Sequence, residues 1–213
     1  MLLVFTAEVY QSRREALAAH DQAAAAMTLA TEHGFTQWSA YGMVFHGKAL
    51  AMQGQGERGI AEMCQGIAAA RTQGAHVWQP YFLVLLAEAY RENGCPDKGL
   101  PVLDEALTVI DETGAYWYEA ELYRLKGELL LQRVAPDANQ AVSCFHQALE
   151  MARQQQAKWL ELRVAISLAR LWQQQGKIKE GYELLTPIYD WFTEGLDAAD
   201  LQDAKGLLAE LKA

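Results

Sequence analysis

Glycine and tryptophan recur along this chain at an interval near 40 residues, and that recurrence limits the architectures open to it. Gly34, Gly74 and Gly114 stand 40 residues apart, and each closes a similar phrase: ATEHGF, ARTQGA and DETGA. Trp38, Trp78, Trp117 and Trp159 repeat at intervals of 40, 39 and 42, and Gly54, Gly94 and Gly176 fall midway through their units. A 40-residue period with a punctuator at its middle describes two helices per unit. A single such hairpin cannot bury its own apolar face, so the units must stack in an array.

Apolar periodicity supports helices. In YFLVLLAEAYRENG (81–94), Phe82, Leu85, Leu86, Ala89 and Tyr90 share one helical face, and Gly94 stops the helix. In DKGLPVLDEALTVIDETG (97–114), Leu100, Leu103, Leu107 and Ile110 form the stripe, and Asp97 is the expected N-cap. No long stretch alternates with period two. The reading is all-α, an α-solenoid of antiparallel pairs with ten to eleven helices in one repeat domain, 1–213. It divides into a partial unit at 1–35, full units at 36–75, 76–115, 116–156 and 157–195, and a capping helix within 196–213. The 51% apolar content excludes a disordered chain.

Small residues recur in register. The first helix of each full unit carries Gly47, Ala87, Gly127 or Ala169; the second carries Gly59, Gly99, Ala141 or Gly181. Four residues further come Met63, Leu103, Phe145 and Leu185, and three beyond those Gly66, Ala106, Ala148 and Ile188. Glycine inside a helix costs about 1 kcal/mol relative to alanine, so its repetition at one register implies a steric need for close helix axes.

This small–x11–small–x3–large–x2–small pattern resembles the tetratricopeptide repeat (TPR) over most of the chain, with a period longer than that family's 34 residues. The stretches YEAELYRLKGELLL, CFHQALEMARQQQAKWLELR and SLARLWQQQGK are similar to the C-terminal arrays of bacterial ATPase, nucleotide-cyclase and maltose-regulator-like signalling proteins. The resemblance implies a partner groove on the first helices. Its residues would be Tyr41, Val44 and Lys48; Tyr81, Val84, Glu88 and Arg91; Glu121, Arg124 and Glu128; and Arg163, Ile166, Arg170 and Gln173. Lys48 is the one lysine at these positions and no asparagine joins it, a poor match to the family's carboxylate clamp. The alternative is that Tyr41 and Tyr81 pack between helices and that charges such as Glu121 and Arg124 pair along their own helix.

Catalytic signatures are weak. GQGERG (54–59) has dinucleotide-fingerprint spacing but follows a helix, whereas that chemistry needs a preceding strand. Cys144 and His146 lie two apart and diverge on a helix. Glu119, Glu121, Glu128, Asp104 and Glu105 read as solvated helix faces, and Ser12, Ser39, Ser143 and Ser167 lack activating motifs. The expectation is a non-enzyme with no metal or cofactor.

A net charge of −9 argues against a general nucleic-acid surface. Three cysteines without a CxxC fit a reducing, cytoplasmic setting. The apolar run Tyr81–Ala87 is far too short to cross a membrane. The expected role is a protein-interaction scaffold, the regulatory repeat region of a larger bacterial signalling protein, binding a protein or peptide or an attached catalytic module. Two alternatives stand beside it. One is a small-molecule sensor with a pocket lined by Tyr41, Tyr81, Trp78 and Trp117. The other is self-association through the N-terminal end, where Leu2, Leu3, Val4 and Phe5 are expected to lack an upstream neighbour.

Overall fold

The computed structural model describes residues 2–74 and 76–212. Among these are eleven α-helices, two short 3-10 turns and no strand. The helices are α1 (Leu2–Ser12), α2 (Ala16–Glu32), α3 (Thr36–Met52), α4 (Gly56–Thr72), α5 (Gln79–Glu92), α6 (Pro96–Thr113), α7 (Glu119–Gln132), α8 (Ala138–Gln154), α9 (Lys158–Gln174), α10 (Ile178–Tyr189) and α11 (Ala199–Lys212). They form two compact units, Met1–Tyr116 with α1–α6 and Trp117–Ala213 with α7–α11. Within each unit, successive helices pack as antiparallel pairs, and each first helix also touches the next first helix. That is the arrangement of an α-solenoid.

The turns explain the 40-residue rhythm. Gly34, Gly54, Gly74, Gly94, Gly114 and Gly176 all hold a positive φ between 67° and 82°. Gly114 shows why: it ends α6 in the left-handed conformation, and its N–H donates to the Ile110 carbonyl. Arg14 and Gln156 take the same conformation in two turns that lack glycine, so the backbone geometry is kept even where the favoured residue is not. Side-chain caps are scarce; Asp137 supplies one, accepting from the Gln140 N–H at 2.9 Å. Asp97 is not the cap expected for α6. The helix begins at Pro96, a position that tolerates a missing N–H, and Asp97 lies in the first turn, facing the positive end of the helix dipole.

The four-residue register is the core of every full pair. Met63, Leu103, Phe145 and Leu185 are completely buried, as are Ala87, Ala106, Ala141, Ala148 and Ala169. Three physical solutions share that register. Between α3 and α4 the backbones themselves meet: a Cβ on Gly47 would lie 2.6 Å from the Gly59 carbonyl oxygen and 2.9 Å from the Met63 nitrogen. One on Gly66 would lie 2.8 Å from the Ala40 oxygen. Between α7 and α8, Gly127 makes room for a ring, since its Cβ would lie 2.6 Å from Phe145 Cε1. Gly181 has only ordinary contact, 3.4 Å to the Ala169 oxygen. Close axes are therefore a property of particular pairs and not of the register as such.

At the N-terminal end, Val4 is 1% exposed and the Phe5 ring lies 6.1 Å from Trp38 and 5.7 Å from Trp78. Both ring neighbours of Phe5 lie later in the chain, and Leu2 is 78% exposed. At the other end α11 buries Leu201, Ala204, Leu207 and Leu211; the apolar spacing of the sequence points to Leu201, Ala204, Leu208 and Leu211, and the structure puts Leu207 in the core with Leu208 only half-buried. Among the described residues, no helix is long and apolar enough to cross a membrane.

The glycines predict opposite responses to one substitution. Gly47→Ala gains helix propensity but forces two backbones apart, and should lower the unfolding free energy by about 1–3 kcal/mol. Gly206, mid-helix in α11, would place its Cβ in open space, so Gly206→Ala should raise stability by up to about 1 kcal/mol. Urea unfolding of both variants checks the pair; a stabilising Gly47→Ala would remove the close-approach explanation.

Candidate partner-binding groove

In the first unit, α3 carries Tyr41, Val44 and Lys48, and α5 carries Tyr81, Val84, Glu88 and Arg91. Tyr41, Val44, Tyr81 and Val84 are buried where the first helices close on each other. Tyr41 sits 4.9 Å from the Phe82 ring, and its hydroxyl accepts from Gln37 Nε2 at 2.9 Å. Trp38, Trp78, Tyr81 and Phe5 complete a cluster whose rings fill the space between them. Tyr41, Trp78 and Tyr81, three of the four residues of the expected small-molecule pocket, are thus packed against aromatic neighbours. Trp117 belongs to the second unit, where it stacks near Tyr118 and is 42% exposed. Trp159 meets the Phe192 ring at 5.8 Å.

Lys48 has only 2% of its surface exposed, yet it is well paired. Its ammonium lies 3.0 Å from Glu88 Oε2 and 2.8 Å from Glu92 Oε2. Two turns of α5 thereby hold one buried cation of α3. Glu88 and Arg91 remain half-buried and reach the surface.

The second unit ties Glu121, Arg124, Glu128, Arg163 and Asp200 into one ion-pair network. Glu121 and Arg124 are one turn apart on α7 and both buried. Arg124 donates to the two carboxylate oxygens of Glu121 at 2.6 and 2.9 Å, the bidentate geometry that guanidinium favours. It also pairs with Glu128, whose carboxylate accepts from Ser167 Oγ of α9 at 2.7 Å. Arg163 of α9 then bridges helices, lying 3.1 Å from Glu121 and 3.7 Å from Asp200 of α11. Further along α9, Arg170 stands 3.9 Å from Asp203, and Gln173 donates to Glu210 at 3.0 Å. Ile166 is buried among these helices.

Of the fourteen expected groove residues, eight (Tyr41, Val44, Lys48, Tyr81, Val84, Glu121, Arg124 and Ile166) are therefore interior. Glu88, Arg91, Glu128, Arg163, Arg170 and Gln173 are left with surface to offer a partner. Sequence reasoning missed Glu8, Asp200, Asp203 and Glu161. Glu8 follows directly from the α1 register of Val4 and Ala7. Its carboxyl is pushed above the usual range by burial, with an opposing hydrogen bond from Tyr81. Glu161 opens α9, and burial alone would raise it. Hydrogen bonds from Arg153 Nε at 2.8 Å and Lys158 Nζ at 2.7 Å prevail and hold it below the ordinary carboxylate value.

The other motifs are absorbed by the fold. GQGERG covers the turn from α3 and the start of α4, where Gly54 has positive φ and Gly59 touches α3. Cys144 is buried while His146 is exposed on the same helix, its ring 6.1 Å from Trp172. The His20 and His46 rings lie 4.5 Å apart at a tilt, with Glu62 2.7 Å from His46 Nδ1. Among the described residues no group of three or more histidine, cysteine or acidic side chains could hold a metal ion.

No protein-family model matches the chain, and no curated protein matches it significantly. Solved structures do. Two crystal structures of a kinesin-light-chain-type protein of Podosopora anserina, built of nearly identical TPR-like repeats, are similar to it. One has a TM-score of 0.61 at 15% identity, covering 87% of this chain and 91% of that one. The other has a TM-score of 0.59 at 14% identity, covering 98% and 94%. At such identities the likeness establishes the TPR-like repeat fold and leaves the chemistry of the groove to its own residues.

The two buried cations predict different costs. In Arg124→Met, Glu121 loses its bidentate partner in the interior, and unfolding should become easier by about 3–5 kcal/mol. In Lys48→Met, Glu88 and Glu92 can turn to water, and the loss should stay within about 1 kcal/mol. Denaturant titration of both distinguishes them; equal losses would contradict the difference in burial.

Proposed function

We propose that this chain is a non-catalytic protein-interaction scaffold whose partners dock on the first helices of each unit. The carrying observation is the charge network of the second unit. Glu128 and Arg163 reach the surface and are held in place by other residues of the network, Glu128 by Ser167 and Arg124, and Arg163 by Glu121 and Asp200; Arg170 stands beside them, more exposed, 3.9 Å from Asp203. Side chains immobilised before binding lose little further entropy when a partner arrives, and that favours recognition. Glu88 and Arg91 offer a similar charged edge in the first unit. TPR-like arrays fit this role because stacking leaves a long face open to another chain. The finer reading is the C-terminal regulatory region of a bacterial, cytoplasmic signalling protein, acting on a partner protein or an attached catalytic module. It is supported by the resemblance of the stretches 118–131, 144–163 and 167–177 to such arrays.

Site-specific photo-crosslinking tests the docking face. Benzoylphenylalanine placed at Arg91 or Arg170 should capture a defined polypeptide in cells expressing the chain. The same group at Asp104 or Ser143, exposed on second helices, should not. Equal capture from both sets would contradict the proposal.

A further inference from the structure

Within the second unit, α9 and α11 leave a cleft of about 310 Å³, walled by Arg170 and Gln173 on one side and by Asp203, Gly206, Leu207 and Glu210 on the other. Gly206 is the unusual member. Gly47, Gly59 and Gly66 each sit where a Cβ would collide with a neighbouring helix, whereas a Cβ at Gly206 would meet nothing within 4 Å. A glycine here weakens α11 with no compensating helix contact. What it provides is an open floor to the cleft, where another chain can approach the backbone.

The surroundings of that floor specify a chemistry. Asp203 and Glu210 are two turns apart on the same face of α11, on either side of Gly206. Arg170 lies 3.9 Å from Asp203, and Gln173 donates to Glu210 at 3.0 Å. Two carboxylates against one guanidinium leave the cleft one negative charge in excess. At the Asp203 end Arg170 offsets the carboxylate, whereas Glu210 meets the neutral Gln173 amide, so an acidic group is repelled at the Glu210 end and a cation gains there. The Gln173 amide can both donate to and accept from a peptide bond.

We propose that this cleft receives a lysine side chain of a partner polypeptide, its stem over Gly206 and its ammonium group at Glu210, the carboxylate that meets the Gln173 amide and not Arg170. The proposal rests on the docking-face reading above and names what one part of that face recognises.

Amide NMR of the full chain tests it with two capped peptides at millimolar concentration, acetyl-Ser-Lys-Ser-amide and acetyl-Ser-Glu-Ser-amide. The lysine peptide should shift the Gly206 backbone amide and the Gln173 side-chain amide saturably. It should bind about fivefold more tightly than the glutamate peptide, the scale of one exposed ion pair. Gly206→Leu should abolish the response while leaving the far-UV circular dichroism unchanged, because leucine favours helix and its Cβ has room. Equal shifts from the two peptides, or an undiminished response in Gly206→Leu, would overturn the proposal. Shifts at Glu88 and Arg91 without any at Gly206 would overturn the cleft assignment but keep the docking face. Silence throughout would count against both.

Discussion

The contact between Gly47 and Gly59 is the constraint on which the first unit is built. Each glycine lies against the backbone of the other's helix, so α3 and α4 are separated by main chain and not by side chains. That closeness lets Met63 fill the small remaining space completely. It also brings α4 near enough to α3 for Gly66 to touch the Ala40 carbonyl two turns further along. Helix interiors this close gain dispersion contacts along their length, which offsets the propensity lost at three glycines. The pair α7–α8 obtains a dense interior by another route, a phenylalanine ring lodged against Gly127. Its longer turn, with the Asp137 cap, accompanies that wider solution.

Much of this was legible in the chain itself. Turn glycines announce a backbone geometry, and the small and large registers announce buried positions; both kinds of signal act within one hairpin. What the sequence hides is how far neighbouring first helices converge. Tyr41 and Tyr81 stand at positions where a looser array would show them to a partner. Here Phe5 reaches across to Trp78 and the aromatic rings close over them. Asp200 and Asp203 were invisible as site residues for a related reason: their partners Arg163 and Arg170 lie more than thirty positions away on α9, and no local pattern links them. The N-cap of α6 failed on a smaller scale, because Pro96 fits the first helical position and displaces Asp97 from the role.

The same convergence shapes the functional reading. Closing the first helices removes most apolar residues from the proposed docking face and leaves charge at its surface, part of it held by buried partners. A face of this kind would select by electrostatic complementarity and register more than by apolar area. The cleft at α11 extends the principle, since a glycine there opens space that elsewhere in the array glycine is used to close.

A double-mutant cycle between Gly47 and Gly59 tests the backbone-to-backbone contact most directly. Alanine at either position should already push α3 and α4 apart, so the second alanine should cost less than it does alone. The account predicts a coupling of about 1 kcal/mol or more by denaturant unfolding; costs that add within about 0.5 kcal/mol would contradict it.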